Sequence, residues 1–233
     1  MKTAAIILAA GAGKRMGAEQ NKLFLTLQGK PILQHTVEAF QRSVQIDGIV
    51  LVAKKQELAQ VRQMVPQAVF DKILLYTVGG KERQDSVLCG LTALPACYER
   101  VLIHDGARPF VTEPLIEKLM DAVTPICGAV AGVPAKDTIK RVGHDGLVQE
   151  TLVRSELWNV QTPQCFYRAP ILHCYQQAQQ EGYCGTDDAS LAEHYGLAVK
   201  LVRSYYENIK LTTPEDLDVA DVFLRRMAAG LLL

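Results

Sequence analysis

The sequence predicts an α/β protein, a doubly wound and mostly parallel sheet of the Rossmann-like kind. Two patterns carry that prediction. Short apolar runs rich in β-branched residues read as buried strands, and they alternate with amphipathic stretches of helical period. A glycine-rich loop follows the first run, as in folds that hold ligands beyond the carboxyl ends of their strands. The chain has 233 residues, 48 % of them hydrophobic, with 25 Lys+Arg against 25 Asp+Glu. That length and balance suit one core-forming domain and exclude intrinsic disorder.

Taken in order, Thr3 to Ala9 reads as the first strand. Pro31 to Phe40 follows as a helix with Ile32, Leu33, Val37 and Phe40 on one face. Ile49 to Ala53 and Ile73 to Val78 read as strands, Ser86 to Leu94 as a helix, and Arg100 to His104 as a further strand. Glu113 to Val123 is helical in pattern and Gly128 to Val133 strand-like. Near the end, Thr213 can cap a helix, Pro214 suits its first turn, and Glu215 and Asp216 complement its dipole.

One stretch breaks the alternation. Asp137 to Val153 reads as two strands around Gly143-His144-Asp145-Gly146, and Asp-Gly favours a hairpin turn. So polar a hairpin cannot bury a face in the core, so it either projects toward another subunit or lies as a solvated ribbon. The expected organisation is a single domain over 1–233 with 137–156 as a dimerising arm.

Zero net charge removes the global footprint of a nucleic-acid binder, so an anionic ligand needs a local cluster of cations. No run approaches the roughly 18 apolar residues that span a bilayer. Met1 to Ala10 has the outline of a signal peptide, but Gly11-Ala12-Gly13-Lys14-Arg15 is a poor cleavage region and a good strand-to-loop transition. The 6 cysteines form no C-x-x-C pair, which predicts reduced thiols, no zinc site and a cytoplasmic protein.

Five constellations carry chemistry. The first is Ala9-Ala10-Gly11-Ala12-Gly13-Lys14-Arg15-Met16. Its small residues let backbone amides approach an anion, and Lys22 follows shortly after. Leu8 and Arg15 occupy places where a P-loop needs Gly and Ser/Thr, and Met16 stands where a dinucleotide fingerprint needs Gly. The second is Gly79-Gly80-Lys81-Glu82-Arg83-Gln84-Asp85-Ser86, where a diglycine ends a strand and a helix begins. Ser86 is placed to bond either a ligand or local backbone. The third is His104-Asp105-Gly106-Ala107-Arg108-Pro109. Asp105 sits just past a strand end, where a carboxylate suits a metal or a ribose, or an Asx-turn; His104 reads as structural. The fourth runs from Arg154 to Trp158 and through Gln161-Thr162-Pro163-Gln164, and the fifth is Glu207 to Thr212 with Lys210. Singly, Arg154 and Lys210 read as ordinary surface cations.

In this order the pieces resemble the 2-C-methyl-D-erythritol 4-phosphate cytidylyltransferase family of the non-mevalonate isoprenoid pathway. The matching stretches continue through Pro134-x-x-Asp137-Thr138-x-Lys140, Thr186-Asp187 and Asn208-Ile209-Lys210, from about residue 3 to residue 220. The resemblance implies transfer of a cytidylyl group from CTP to the alditol phosphate, releasing pyrophosphate, with Mg²⁺ held mainly through the CTP phosphates and no protein-only metal site. It implies Arg15 and Lys22 as the catalytic cations. It places Ala9, Ala10, Gly11, Ala12, Gly13, Gly80, Arg83, Ser86, Asp105 and Ala107 around CTP. It places Arg154, Lys210, Thr138, Asp105, Arg108 and Thr162 around the acceptor. It further implies a homodimer whose arms cross, so that Thr138 and Arg154 serve the neighbour's site. Asn21 and Leu23 flank Lys22 where many relatives carry Pro and Gln, and Leu8 stands where some carry Pro. Competing readings are a cytidylyltransferase for another alditol phosphate such as ribitol 5-phosphate, and a nucleotide-binding module without turnover. A nicotinamide dehydrogenase fits less well, because the fingerprint fails at Met16.

Overall fold

The structure, a computed structural model, describes residues 1–11 and 21–230. Its centre is a seven-stranded sheet of β1 (Lys2–Leu8), β4 (Gly48–Ala53), β5 (Ile73–Val78), β6 (Tyr98–Asp105), β7 (Cys127–Pro134), β10 (Trp158–Tyr167) and β11 (Ala198–Arg203). The order across it is β11-β7-β10-β6-β1-β4-β5. β6, β1, β4 and β5 run parallel, as do β7 and β11, while β10 lies antiparallel between β6 and β7.

The apolar runs are continuous because the sheet is covered on both sides. On one face Ala5, Ile7, Ile49 and Leu51 pack with α1 (Ile32–Arg42), α2 (Leu58–Met64), α4 (Glu113–Ala122) and α7 (Pro214–Ala228). On the other, Ala4, Ile6, Val50 and Val52 pack with α3 (Arg83–Ala93), α5 (Arg168–Glu181) and α6 (Asp188–His194). The helical faces follow the sequence pattern. Ile32, Leu33, Val37 and Phe40 of α1 are buried, and so are Leu115, Ile116, Leu119 and Met120 of α4. At the start of α7 the Asp216 carboxylate accepts from the backbone N–H of Thr213 at 2.9 Å, and Pro214 occupies the first turn. No helix among the described residues is long and apolar enough to cross a membrane.

Two small ribbons stand apart from the sheet. β2 (Thr26–Leu27) pairs with β3 (Lys30–Pro31). β8 (Lys140–Val142) pairs with β9 (Val148–Thr151) inside the segment expected to form the arm, and their residues are exposed throughout. Gly146 has φ +80°, the left-handed backbone that an Asp-Gly turn needs, and Asp145 Oδ1 accepts from Leu147 N at 3.0 Å.

Candidate active site

The parallel strands β6, β1, β4 and β5 end on one edge, and a cleft of about 630 Å³ opens there. Its walls come from the ends of β1 and β6, the start of α3, the turn at Lys22, and a loop carrying Lys210. The diglycine after β5 is dictated by proximity to α3. A Cβ on Gly80 would lie 2.2 Å from Asp85 Cβ, and one on Gly79 would lie 2.6 Å from Ser86 Oγ. With no side chain there, the first turn of α3 closes directly onto the strand end. The turn is fixed by Asp85, which accepts from Glu82 N at 3.0 Å, leaving the helix N-terminus on the cleft wall. Ser86 lines the cleft while its hydroxyl donates to Glu82 O at 3.1 Å.

Asp105 closes the floor at the end of β6. Its Oδ2 lies 2.7 Å from Lys210 Nζ, and its Oδ1 lies 3.3 Å from Arg83 Nε. Burial alone would push this carboxyl up, but the Arg83, Lys210 and Arg108 charges outweigh that and hold it well below the usual carboxylate range. It is therefore an anion at any physiological pH. Lys22, Lys54, Lys81, Arg83 and Lys210 all line the cleft, against Glu82 and Asp105. The described wall is net cationic and suits a polyanionic ligand.

Lys22 is positioned by its neighbour. Asn21 Oδ1 accepts from Leu23 N at 3.1 Å, capping the 3-10 turn Lys22–Phe24. The Asn21 amide donates to Ala9 O at 3.0 Å and to Glu57 Oε2 at 2.9 Å. Asn21 thus ties the lysine turn to the first strand end.

Lys210 is positioned from behind. Asn208, fully buried, donates through Nδ2 to Thr162 O at 2.9 Å and to Gln161 Oε1 at 3.1 Å. Arg108 Nη1 donates to Asn208 O at 2.7 Å, and Leu211 N to Ala107 O at 2.9 Å. Arg108 is not on the cleft wall; its guanidinium braces the loop that presents Lys210. Thr162 also faces inward. Its Oγ1 accepts from Asp105 N at 3.1 Å and meets His104 Nδ1 at 3.0 Å. His104 Nε2 lies 3.0 Å from Arg108 O, so the chain of bonds assigns a neutral ring with its proton on Nε2. Burial lowers the His104 pKa to about 4, consistent with the structural part read from the sequence.

The cleft therefore gathers Ala10, Gly11, Lys22, Gly80, Arg83, Ser86, Asp105, Ala107 and Lys210, with Ala9 buried just beneath. Thr138 and Arg154 are not on its wall. They are exposed at the base of the β8–β9 ribbon, where Arg154 Nη1 donates to Lys136 O at 3.1 Å. Ala12, Gly13 and Arg15 lie outside the described residues. Lys54 and the buried Asp188 are additions that sequence reasoning did not single out; Thr212, also on the wall, closes the fifth constellation.

Comparison with known proteins gives a consistent picture. Residues 3–226 match the family described as 2-C-methyl-D-erythritol 4-phosphate cytidylyltransferase. A protein of that name from Geobacillus thermodenitrificans is 47 % identical over 225 residues, covering 96 % of this chain and 97 % of its own length. One from Halalkalibacterium halodurans is 47 % identical over 224 residues, covering 96 % and 97 %. A crystal structure of 4-diphosphocytidyl-2C-methyl-D-erythritol synthase from Anaerococcus prevotii superposes with a TM-score of 0.84 at 33 % identity, over 97 % of this chain and 96 % of that one.

Proposed function

The chain belongs to the 2-C-methyl-D-erythritol 4-phosphate cytidylyltransferase family, and on that premise we propose that the cleft transfers the cytidylyl group of CTP to 2-C-methyl-D-erythritol 4-phosphate. A phosphate oxygen of the acceptor forms the new bond to the α-phosphorus. The bond from that phosphorus to the α–β bridging oxygen breaks in line, and pyrophosphate leaves. The products are 4-diphosphocytidyl-2-C-methyl-D-erythritol and pyrophosphate, a step of isoprenoid synthesis.

The observation that carries this reading is the convergence of Lys22, Arg83 and Lys210 around Asp105, beside the Gly80 edge and the start of α3. The reaction brings two anions together, so its barrier is chiefly electrostatic and positional. A phosphate monoester is already nucleophilic near neutral pH and needs no general base. The neutral, buried His104 fits that requirement, because it is spent on holding Thr162 and Arg108. Lys22, with Arg15, meets charge developing on the α-phosphoryl oxygens. Lys210 and Arg154 hold the acceptor phosphate, and Thr138 contacts the acceptor.

Mg²⁺ fits the residues present. Asp105 offers one ionised carboxylate on the cleft wall, and no group of three or more His, Cys, Asp or Glu side chains among the described residues gathers into a metal cage. A hard cation that takes one carboxylate and several phosphate oxygens is the usual arrangement for Mg²⁺ with a nucleotide. When bound, it would neutralise triphosphate charge and ease departure of pyrophosphate.

We further propose a cytoplasmic homodimer in which each ribbon brings Thr138 and Arg154 to the neighbour's cleft. Support comes from the ribbon itself, exposed on both faces and bearing Val142, Leu147 and Val148 outward. The test of function is pyrophosphate release from CTP and Mg²⁺ with a panel of alditol phosphates. Turnover restricted to the methylerythritol phosphate supports the assignment. Preference for ribitol 5-phosphate reassigns the acceptor, and CTP binding without release would make the protein a nucleotide-binding module.

A further inference from the structure

We infer that Asp188, backed by Tyr175, is a positioning residue for this site and acts through Arg83. The inference rests on the reading above and adds a residue to it. Asp188 opens α6 but does not cap it. Asp187 does that, its Oδ1 accepting from Ser190 N at 2.8 Å. The Asp188 carboxylate is fully buried and receives Arg83 Nη1 and Nη2 at 2.8 Å each, a bidentate pair, while the Tyr175 hydroxyl donates to its Oδ1. Arg83 Nε then points the other way, to Asp105 at 3.3 Å, and the side chain keeps 30 % of its surface exposed on the cleft wall.

Burying two charges costs more than burying two apolar groups of similar size, so such a pair is poorly explained by stability alone. The surrounding segment is moreover held by other bonds. Gln84 Oε1 accepts from Gly185 N at 2.9 Å and its Nε2 donates to Tyr183 O at 2.8 Å. What those bonds leave undetermined is the plane of the Arg83 guanidinium. Asp188 fixes that plane by its two-oxygen grip, and so fixes the edge that Arg83 turns toward Asp105 and the nucleotide phosphates. Tyr175 removes the remaining freedom of the carboxylate. Burial, and then the neighbouring Asp188 charge, push the tyrosine's pKa well above its ordinary value, so it remains a donor.

Asp188→Asn, Tyr175→Phe, Arg83→Lys and the Arg83→Lys/Asp188→Asn pair test this by CTP·Mg²⁺ titration and steady-state kinetics. Groups that orient a metal-ligating side chain from one contact away typically contribute about 10–100-fold, and Asp188 stands in the same relation to Arg83. On that scale Asp188→Asn should weaken CTP affinity and kcat/KM for CTP about tenfold or more, with the KM for the acceptor changed less than about threefold. Tyr175→Phe should move CTP affinity the same way by about threefold. The double variant should be no worse than Arg83→Lys alone, because the anchor matters only through the group it holds. A lowered Tm with wild-type CTP affinity would make Asp188 merely structural and overturn the inference, as would losses that multiply in the double variant. Should Asp188→Asn fail to fold, Tyr175→Phe decides, and unchanged CTP affinity in it refutes the idea. Absence of pyrophosphate release from the wild-type protein would sink the transferase reading instead, and the CTP titrations would still decide the role of Asp188.

Discussion

The floor of the cleft and the β8–β9 ribbon contrast in how they are held. At the floor, Asp105, Arg83, Thr162, Asn208 and Lys210 are tied to groups on distant elements, so that β6, α3, α6 and the Lys210 loop fix one another. On the ribbon, the ordered contacts are local: Arg141 with Glu150 at 2.8 Å, Lys140 with Thr151 at 2.6 Å, and three β8–β9 register pairs. An exposed two-stranded hairpin is marginal by itself. The cleft floor is thus preorganised within one chain, whereas Thr138 and Arg154 stand at the base of an exposed ribbon whose contacts are local. Under the proposed pairing, the nucleotide half of the site is built in advance and the acceptor half is completed on assembly.

The largest effect should come from the preorganised half. Lys22→Ala should lower kcat by about 10²–10³, the usual loss for one transition-state donor, while CTP binding changes by only a few fold. Kinetics alongside CTP titration read both, and a near-normal kcat would remove Lys22 from the chemistry. The bracing beneath it carries a pH signature. His104 is held neutral by burial, its pKa falling from 6.5 to about 4. The unfolded chain therefore binds a proton the folded one does not, and stability should fall as pH drops from 6.5 toward 4 and level off below. The sum is on the order of 3 kcal/mol at about 1.36 kcal/mol per unit. An imidazole NMR titration checks it directly; a midpoint near 6.5 would contradict the neutral, bonded ring.

The acceptor half should respond differently. Arg154→Ala should raise the KM for the acceptor by roughly 10–100-fold, the worth of a charge-assisted hydrogen bond, with the KM for CTP nearly unchanged. Equal increases in both would erase the division between the halves. The smallest change tests the fit of α3 on the strand end. Gly80→Ala places a Cβ against Asp85, so Tm should fall by the equivalent of about 1–3 kcal/mol. CTP affinity should fall with it, and unaltered CTP affinity would separate the diglycine from the nucleotide wall.

Much of this was legible in the sequence because it follows from burial. Continuous apolar runs marked β1, β4, β5, β6 and β7, and the spacing of Ile32, Leu33, Val37 and Phe40 marked α1. β10 escaped, although it lies between β6 and β7. Its Gln161, Thr162 and Gln164 are polar and Pro163 interrupts the run, the features that argue against a central strand. The fold accommodates them with a break in the β7 register between Val160 and Gln164, and by bonding Gln164 to Asp187 at 2.7 Å and Thr162 to Asp105 N. The site divided likewise. Asp105 and Gly80 were legible from their places beside strand ends, whereas Lys210 read by itself as a surface cation and stood out only through the family resemblance. Asp188 was not legible, because its meaning lies in Arg83, 105 positions away, and no local pattern encodes such a pairing.

Subunit mixing tests the two-half account most directly. Lys22→Ala and Arg154→Ala proteins, each of low activity alone, would be unfolded together, refolded at equal concentration and assayed for pyrophosphate release. If Arg154 serves the neighbour's cleft, half of the dimers are mixed and one cleft in each carries both wild-type residues, so activity should recover to about a quarter of wild type. Activity equal to the mean of the two separate variants would place Arg154 with its own chain's cleft and contradict the account.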